Sequence, residues 1–141
     1  KNHNKIQKSF NKKSLKSINC IKLYPKVRIT IKKLKKKQKK IGILTSKDFN
    51  RTKKILKYFK LKFDFIECPK QNIPGKPYPY QMLNVIKKLK FSKKNAVYIG
   101  DMIVDFKTAR NAGVDFINAN YGYGEKKKCK YKINNLKELT K

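Results

Sequence analysis

Four short apolar runs alternate with stretches of helical periodicity, and this alternation constrains the fold more than any other feature of the chain. Ile41-Gly42-Ile43-Leu44, Phe63 to Cys68, Ala96-Val97-Tyr98-Ile99 and Val114 to Ile117 have the length and composition of buried strands. Between them stand Ile55, Leu56 and Phe59, then Leu83, Ile86 and Leu89, then Phe106 and Ala109, each set spaced for one face of a helix. An earlier amphipathic helix carries Val27, Ile31 and Leu34 and runs on to Lys40. Gly113 is placed to cap the helix that holds Ala109. The pattern predicts an α/β fold of three layers. Its Rossmann-like parallel sheet has right-handed crossovers and helices on both faces. In such folds ligands bind beyond the carboxyl ends of the strands.

The 141 residues suffice for one domain with one modest core. The formal net charge of +31 suggests a nucleic-acid partner or an anionic membrane surface. The residue types argue against a dedicated nucleic-acid reader. Only Arg28, Arg51 and Arg110 are arginine among 39 basic residues, and arginine is the usual reader of phosphates and guanine edges. Lysine enrichment at solvated positions is the preferred reading, and nucleic-acid binding is kept as the alternative. Cys20, Cys68 and Cys129 lie far apart with no CxxC spacing, which points to a reducing, cytoplasmic setting over a zinc site or disulfide framework. The single histidine, His3, lies in a polar terminal stretch and reads as solvated. No apolar run has the length of a membrane span, so no membrane partner is expected.

Three features at strand ends carry chemistry. In Gly100-Asp101-Met102-Ile103-Val104-Asp105, two carboxylates four residues apart flank a strand-to-helix turn. Hard oxygen ligands there suit Mg²⁺, which takes one or two carboxylates besides water and phosphate oxygens. The structural alternative is a helix N-cap by Asp101 and a charge from Asp105 that suits the helix dipole. In Gly75-Lys76-Pro77-Tyr78-Pro79, Lys76 is a point charge held in a rigid loop. It is not a Walker-type loop, because no Ser or Thr follows the lysine. Thr45-Ser46 places hydroxyls after a strand, fit for a phosphoryl oxygen or for capping a helix.

Taken in order on successive β/α units, these motifs resemble those of the haloacid dehalogenase-like hydrolases, in particular the phosphoglycolate-phosphatase-like branch. The resemblance runs from about Leu23 to the end of the chain. Ile41-Gly-Ile-Leu-Thr-Ser-Lys47 is similar to the family's second motif, Gly75-Lys-Pro-Tyr-Pro79 to the third, and Ile99 to Asp105 with Ala109 to Gly113 to the fourth. Tyr121-Gly-Tyr-Gly124 resembles a late loop of the family. The resemblance implies a Mg²⁺-dependent phosphatase acting on a small phosphorylated substrate through an aspartyl-phosphate. It implies Thr45 and Lys76 as catalytic groups, Thr45, Ser46 and Lys76 as phosphate contacts, and Asp101 and Asp105 as Mg²⁺ ligands. It also implies that residues 1–24 are a remnant of a cap or linker and that 25–141 form the hydrolase core.

The family's first motif, Asp-x-Asp, is absent. The five aspartates are Asp48, Asp64, Asp101, Asp105 and Asp115, and no two stand two apart. N-terminal truncation is the expected explanation, with a degenerate pseudoenzyme second. The expected sheet therefore lacks its first, central strand, and most of the cap. The chain as given is expected to be inactive.

Overall fold

The structure, a computed structural model, describes residues 18–124 and 129–140. His3 lies outside the described residues. Among the described residues, four α-helices alternate with four strands and a fifth strand follows: α1 (Val27–Lys36), β1 (Gly42–Leu44), α2 (Phe49–Tyr58), β2 (Phe65–Glu67), α3 (Tyr80–Leu89), β3 (Val97–Gly100), α4 (Ile103–Ala112), β4 (Asp115–Ala119) and β5 (Tyr131–Ile133). Short 3₁₀ turns occupy Ile18–Cys20, Lys93–Asn95 and Leu136–Thr140.

All strand pairs are parallel, as the alternation requires. They form two sheets, β1-β2 and β3-β4-β5. Neither β1 nor β3 pairs with the other. In β1, the Thr45 N–H beyond the last strand residue bonds the Glu67 carbonyl of β2 at 3.0 Å. Backbone groups of a strand alternate in direction, so Leu44 turns its own N–H and carbonyl away from β2.

Three boundaries differ from expectation. Helix α1 stops at Lys36, four residues early, where Lys37 caps it and Gln38 takes a left-handed φ of 56°. The run of lysines beyond it has no acidic neighbour one turn away to sustain a helix. Strand β5 was not expected. Three residues of Tyr-Lys-Ile between polar stretches carry too little periodicity to announce a strand, and pairing with β4 defines it. The inward face of α3 centres on Gln81, Met82 and Val85, with Leu83 and Ile86 packed at its flank.

The core joins both sheets through their helices. Met82, Ala109, Ala112, Val114 and Phe116 form its buried centre, with Leu44, Ala96, Tyr98 and Phe106 against it. Helix α4 is the pivot. Asp105, Thr108, Ala109 and Ala112 follow helical spacing and are all buried. The small side chains let α4 approach the sheet closely, and the Thr108 hydroxyl is satisfied by donating to the Val104 carbonyl at 2.6 Å. Gly113 ends the helix in the left-handed conformation, φ 68°, as its place in the sequence suggested. Because Asp105 belongs to the same buried stripe, the helix carries a carboxylate into the core.

Candidate active site

Asp105 lies in the first turn of α4, three positions after the N-cap Met102. Its Oδ2 accepts the Met102 N–H at 3.1 Å, satisfying one of the free donors at the helix start. Its Oδ1 accepts from Lys76 Nζ at 2.7 Å and from the Tyr98 hydroxyl at 3.0 Å. The backbone makes room for this carboxylate at Gly100. A β-carbon there would stand 2.5 Å from Asp105 Cβ and 2.7 Å from its Oδ2.

Lys76 is delivered from the proline loop between β2 and α3. The Tyr78 N–H bonds the Gly75 carbonyl at 3.0 Å, closing a turn around it. Asn111 of α4 donates to the Pro77 carbonyl at 3.0 Å and ties the loop down. The Lys76–Pro77 peptide bond is cis. Its ammonium reaches Asp105, the Leu44 carbonyl at 3.2 Å and the Tyr98 hydroxyl. With side-chain exposures of 9% for Lys76 and 10% for Asp105, this is a buried ion pair whose members are both further hydrogen-bonded. That is the condition under which such a pair is tolerated.

Tyr98 completes the cluster. It projects from β3, and its hydroxyl lies 3.0 Å from Asp105 Oδ1 and 3.4 Å from the Leu44 carbonyl. Burial, then the Asp105 charge, pushes the phenol well above its ordinary range, so it stays protonated and able to donate. For Asp105, burial by itself would raise the pKa. The hydrogen bond and charge of Lys76, with the Met102 N–H and the Tyr98 hydroxyl, outweigh it and leave the carboxyl below the usual range.

Asp101 follows β3 directly and is half-buried. It does not cap α4; Met102 occupies that position. Its Oδ2 instead accepts the backbone N–H groups of Tyr123 at 2.7 Å and Gly124 at 3.2 Å. The loop that supplies them also brings Tyr121 against Tyr24, ring centroids 5.0 Å apart. Burial, then Tyr24 and Asp101 nearby, pushes the Tyr121 phenol up to about 12.

Thr45 and Ser46 lie just beyond Leu44. The Thr45 hydroxyl accepts the Lys47 N–H at 3.1 Å, and Ser46 is exposed. Cap duty for α2 falls to Asp48, whose carboxylate accepts the Arg51 N–H at 2.9 Å. Of the five residues singled out in the sequence, the structure joins Lys76 and Asp105 directly and sets Thr45 one residue from the carbonyl that holds Lys76. Among the described residues no hydrogen bond links Thr45, Ser46 or Asp101 to Lys76. No group of three or more His, Cys, Asp or Glu side chains converges among the described residues.

Two participants have no role assigned from the sequence, although the Tyr121–Gly124 loop is noted there for its resemblance to a late loop of the family. Tyr98 counted only as a strand residue, although a tyrosine in an apolar strand needs a partner for its hydroxyl. The amides of Tyr123 and Gly124 carry no side-chain signature at all.

Comparison with known proteins adds five observations. The haloacid dehalogenase-like hydrolase family matches residues 1–119. A phosphoglycolate phosphatase of Psychrobacter arcticus is 35% identical over 102 residues, covering 71% of this chain and 44% of that protein. One from Haemophilus influenzae is 29% identical over 107 residues, covering 74% of this chain and 48% of that protein. The chain thus spans about half the length of the curated relatives it matches. Among solved structures, CbbY of Rhodobacter sphaeroides in complex with phosphate superposes with a TM-score of 0.83 at 16% identity, covering 96% of this chain and 64% of that one. A subfamily IA hydrolase of Geobacter sulfurreducens gives 0.78 at 20% identity, covering 89% and 58%. At these identities the structural likeness speaks for the fold.

Proposed function

This chain belongs to the haloacid dehalogenase-like hydrolase family, and on that premise we propose that it carries the phosphate- and metal-binding part of a Mg²⁺-dependent phosphatase for a small phosphorylated metabolite. The observation that carries the reading is the Lys76–Asp105 pair at the carboxyl end of β3, beside Asp101 and within one residue of Thr45. Lys76 neutralises charge on the phosphoryl group, and Thr45 and Ser46 donate hydrogen bonds to its oxygens. The curated relatives named above favour a small phosphorylated acid as the substrate class.

The donor set suits Mg²⁺ in a particular way. Among the described residues, the hydrogen bonds to Asp101 fall on Oδ2, which leaves Oδ1 to face a cation. Both oxygens of Asp105 are engaged by Lys76, Tyr98 and Met102. Asp101 is therefore the better direct ligand, and Asp105 joins it only by exchanging a partner. A cation held by few protein oxygens keeps its water and phosphate ligands, as Mg²⁺ prefers. When bound, it supplies electrostatic stabilisation to the transferring phosphoryl group.

The reading assigns nucleophilic attack to an aspartate of an Asp-x-Asp motif outside these 141 residues, on a strand seated between β1 and β3. It assigns residues 1–24 to the linker or cap that leads into the core at 25–141, and the protein to the reducing cytoplasm. The separate sheets, with β1 and β3 unpaired to each other, support that placement.

The test is hydrolysis of p-nitrophenyl phosphate with Mg²⁺ by this chain and by a product of the same coding sequence extended upstream through an Asp-x-Asp. Activity is expected only in the extended protein, and Asp101→Asn is expected to abolish it. Undiminished activity in the variant would reject the metal assignment. Turnover by the present chain alone would reject the placement of the nucleophile.

A groove between α1 and the α2–β2 loop, floored by Ile31 and Leu61 and ringed by Arg28 and five lysines from Lys32 to Lys62, favours a second reading as a non-catalytic protein that binds nucleic acid. RNA and DNA binding that falls steeply with salt is its signature. No binding at about 50 mM salt, where the electrostatic contribution is strong, rules it out.

A further inference from the structure

The Tyr121–Gly124 loop bonds the site through its backbone. Its two amides converge on one oxygen of Asp101, at 2.7 and 3.2 Å, from 22 and 23 residues away in the chain. The Gly122 N–H bonds the Ala119 carbonyl at 3.0 Å, so the loop turns directly off the end of β4. Its two glycines touch Asp101. A β-carbon at Gly122 would stand 2.3 Å from Asp101 Cβ and 2.4 Å from its Oδ2. One at Gly124 would stand 2.0 Å from the Asp101 carbonyl oxygen, a backbone atom that cannot swing aside. The tyrosines alternate with these glycines. Tyr121 packs on Tyr24, while Tyr123, 94% exposed as a residue, sets its ring 6.4 Å from that of Tyr24 and bonds Asp101 through its amide.

An aspartate side chain after a strand has two torsions free to rotate. Two donors fixed on one oxygen remove most of that freedom and leave the other oxygen to point one way. We propose that the Tyr121–Gly124 loop is a positioning element, a backbone clamp that fixes the Asp101 carboxylate so that Oδ1 is presented to a divalent cation. The proposal rests on the metal reading above and adds to it the residues that set the geometry. Gly122 and Gly124 are required because the clamp has no room for a side chain, and the Tyr123 amide is its shorter arm.

The clamp and the metal reading are separable by experiment. The first measurement needs no metal: amide hydrogen exchange of Tyr123 and Gly124 by NMR, in the unaltered chain and in Asp101→Ala. Both amides are expected to be protected, and to lose at least ten-fold protection in the variant. Unprotected amides in the unaltered chain overturn the clamp whatever the metal does.

The second measurement is Mn²⁺ affinity by titration calorimetry on the same chain, with Tyr123→Pro, Gly124→Ala and Tyr123→Ala. Tyr123→Pro removes the donor, Gly124→Ala forces the loop away, and Tyr123→Ala keeps the amide. The first two are expected to weaken Mn²⁺ binding about ten-fold, and at least five-fold more than Tyr123→Ala, with the unfolding midpoint unmoved. Equal losses in Tyr123→Pro and Tyr123→Ala would overturn the positioning role, as would affinity unchanged in both Tyr123→Pro and Gly124→Ala. Protected amides in a chain that binds no Mn²⁺ would reject the metal reading, and the positioning role with it, while the contact itself stood.

Discussion

Asp105 is held by four neighbours of different kinds: an ammonium, a phenol, a backbone amide and a glycine that yields space. Replacing it by asparagine leaves the Lys76 charge buried without its counter-ion. We expect Asp105→Asn to lose about 3–5 kcal/mol, the usual cost of breaking a buried pair from one side, read by urea unfolding at pH 7. Tyr98→Phe removes one donor to a charged oxygen and keeps the ring in the core. It should cost about 1.5–3 kcal/mol, as hydrogen bonds to charged groups do. A Tyr98→Phe variant as stable as the parent would show that Lys76 alone satisfies Asp105 Oδ1. At this scale the sequence was legible where a residue type is unusual for its place. Asp101 and Asp105 stand out because acidic residues number only eight, and Lys76 because it sits between Gly and Pro. Tyr98 did not stand out, since an aromatic ring in an apolar strand looks like core. That Lys76 and Asp105, 29 positions apart, close on one another is a product of the fold and not of spacing.

At the scale of elements, periodicity located four strands and four helices but not their ends. Ends are set by single hydrogen bonds. The start of β1 shows this. Ile41 and Asp64 bond reciprocally: the Asp64 N–H to the Ile41 carbonyl at 2.8 Å, and the Ile41 N–H to Asp64 Oδ2 at 2.8 Å. The Ile41 amide, followed by the nearby Lys35 and Lys40, holds the Asp64 carboxyl below its ordinary value despite partial burial. A carboxyl lowered in the folded state stabilises it above the unfolded pKa, near about 4, and ceases to do so as pH falls through the folded value. Asp64→Asn is therefore expected to lose about 1 kcal/mol at pH 7. That difference should vanish in acid, below the carboxylate range, when both proteins are melted side by side. Asp48→Ala tests the start of α2 in the same way, with a loss of about 1 kcal/mol. Strand β5 was the element that escaped notice, because its definition lies in its partner β4.

For the whole molecule, stability is distributed unevenly across two sheets. Among the described residues only β4 is paired on both sides, with β3 and β5. Its amides should be the slowest to exchange, and those of β1 and β2 faster, because a two-stranded sheet opens at lower cost. Uniform protection across all five strands would contradict this. A net charge of +31 on 141 residues adds self-repulsion throughout. Added salt should raise the unfolding midpoint as that repulsion is screened, most steeply below about 0.15 M. Among the described residues no helix is long and apolar enough to cross a membrane.

The Leu44 carbonyl gives the two sheets a common mechanical logic. It points away from β2, and the side chains of Lys76 and Tyr98 hold it from across the gap toward β3. Any strand that lays its own N–H groups along that side of β1 competes with these two side chains for the lone pairs of this oxygen. Completing the sheet would then loosen one of the lysine's three contacts and leave its pair with Asp105 to hold it.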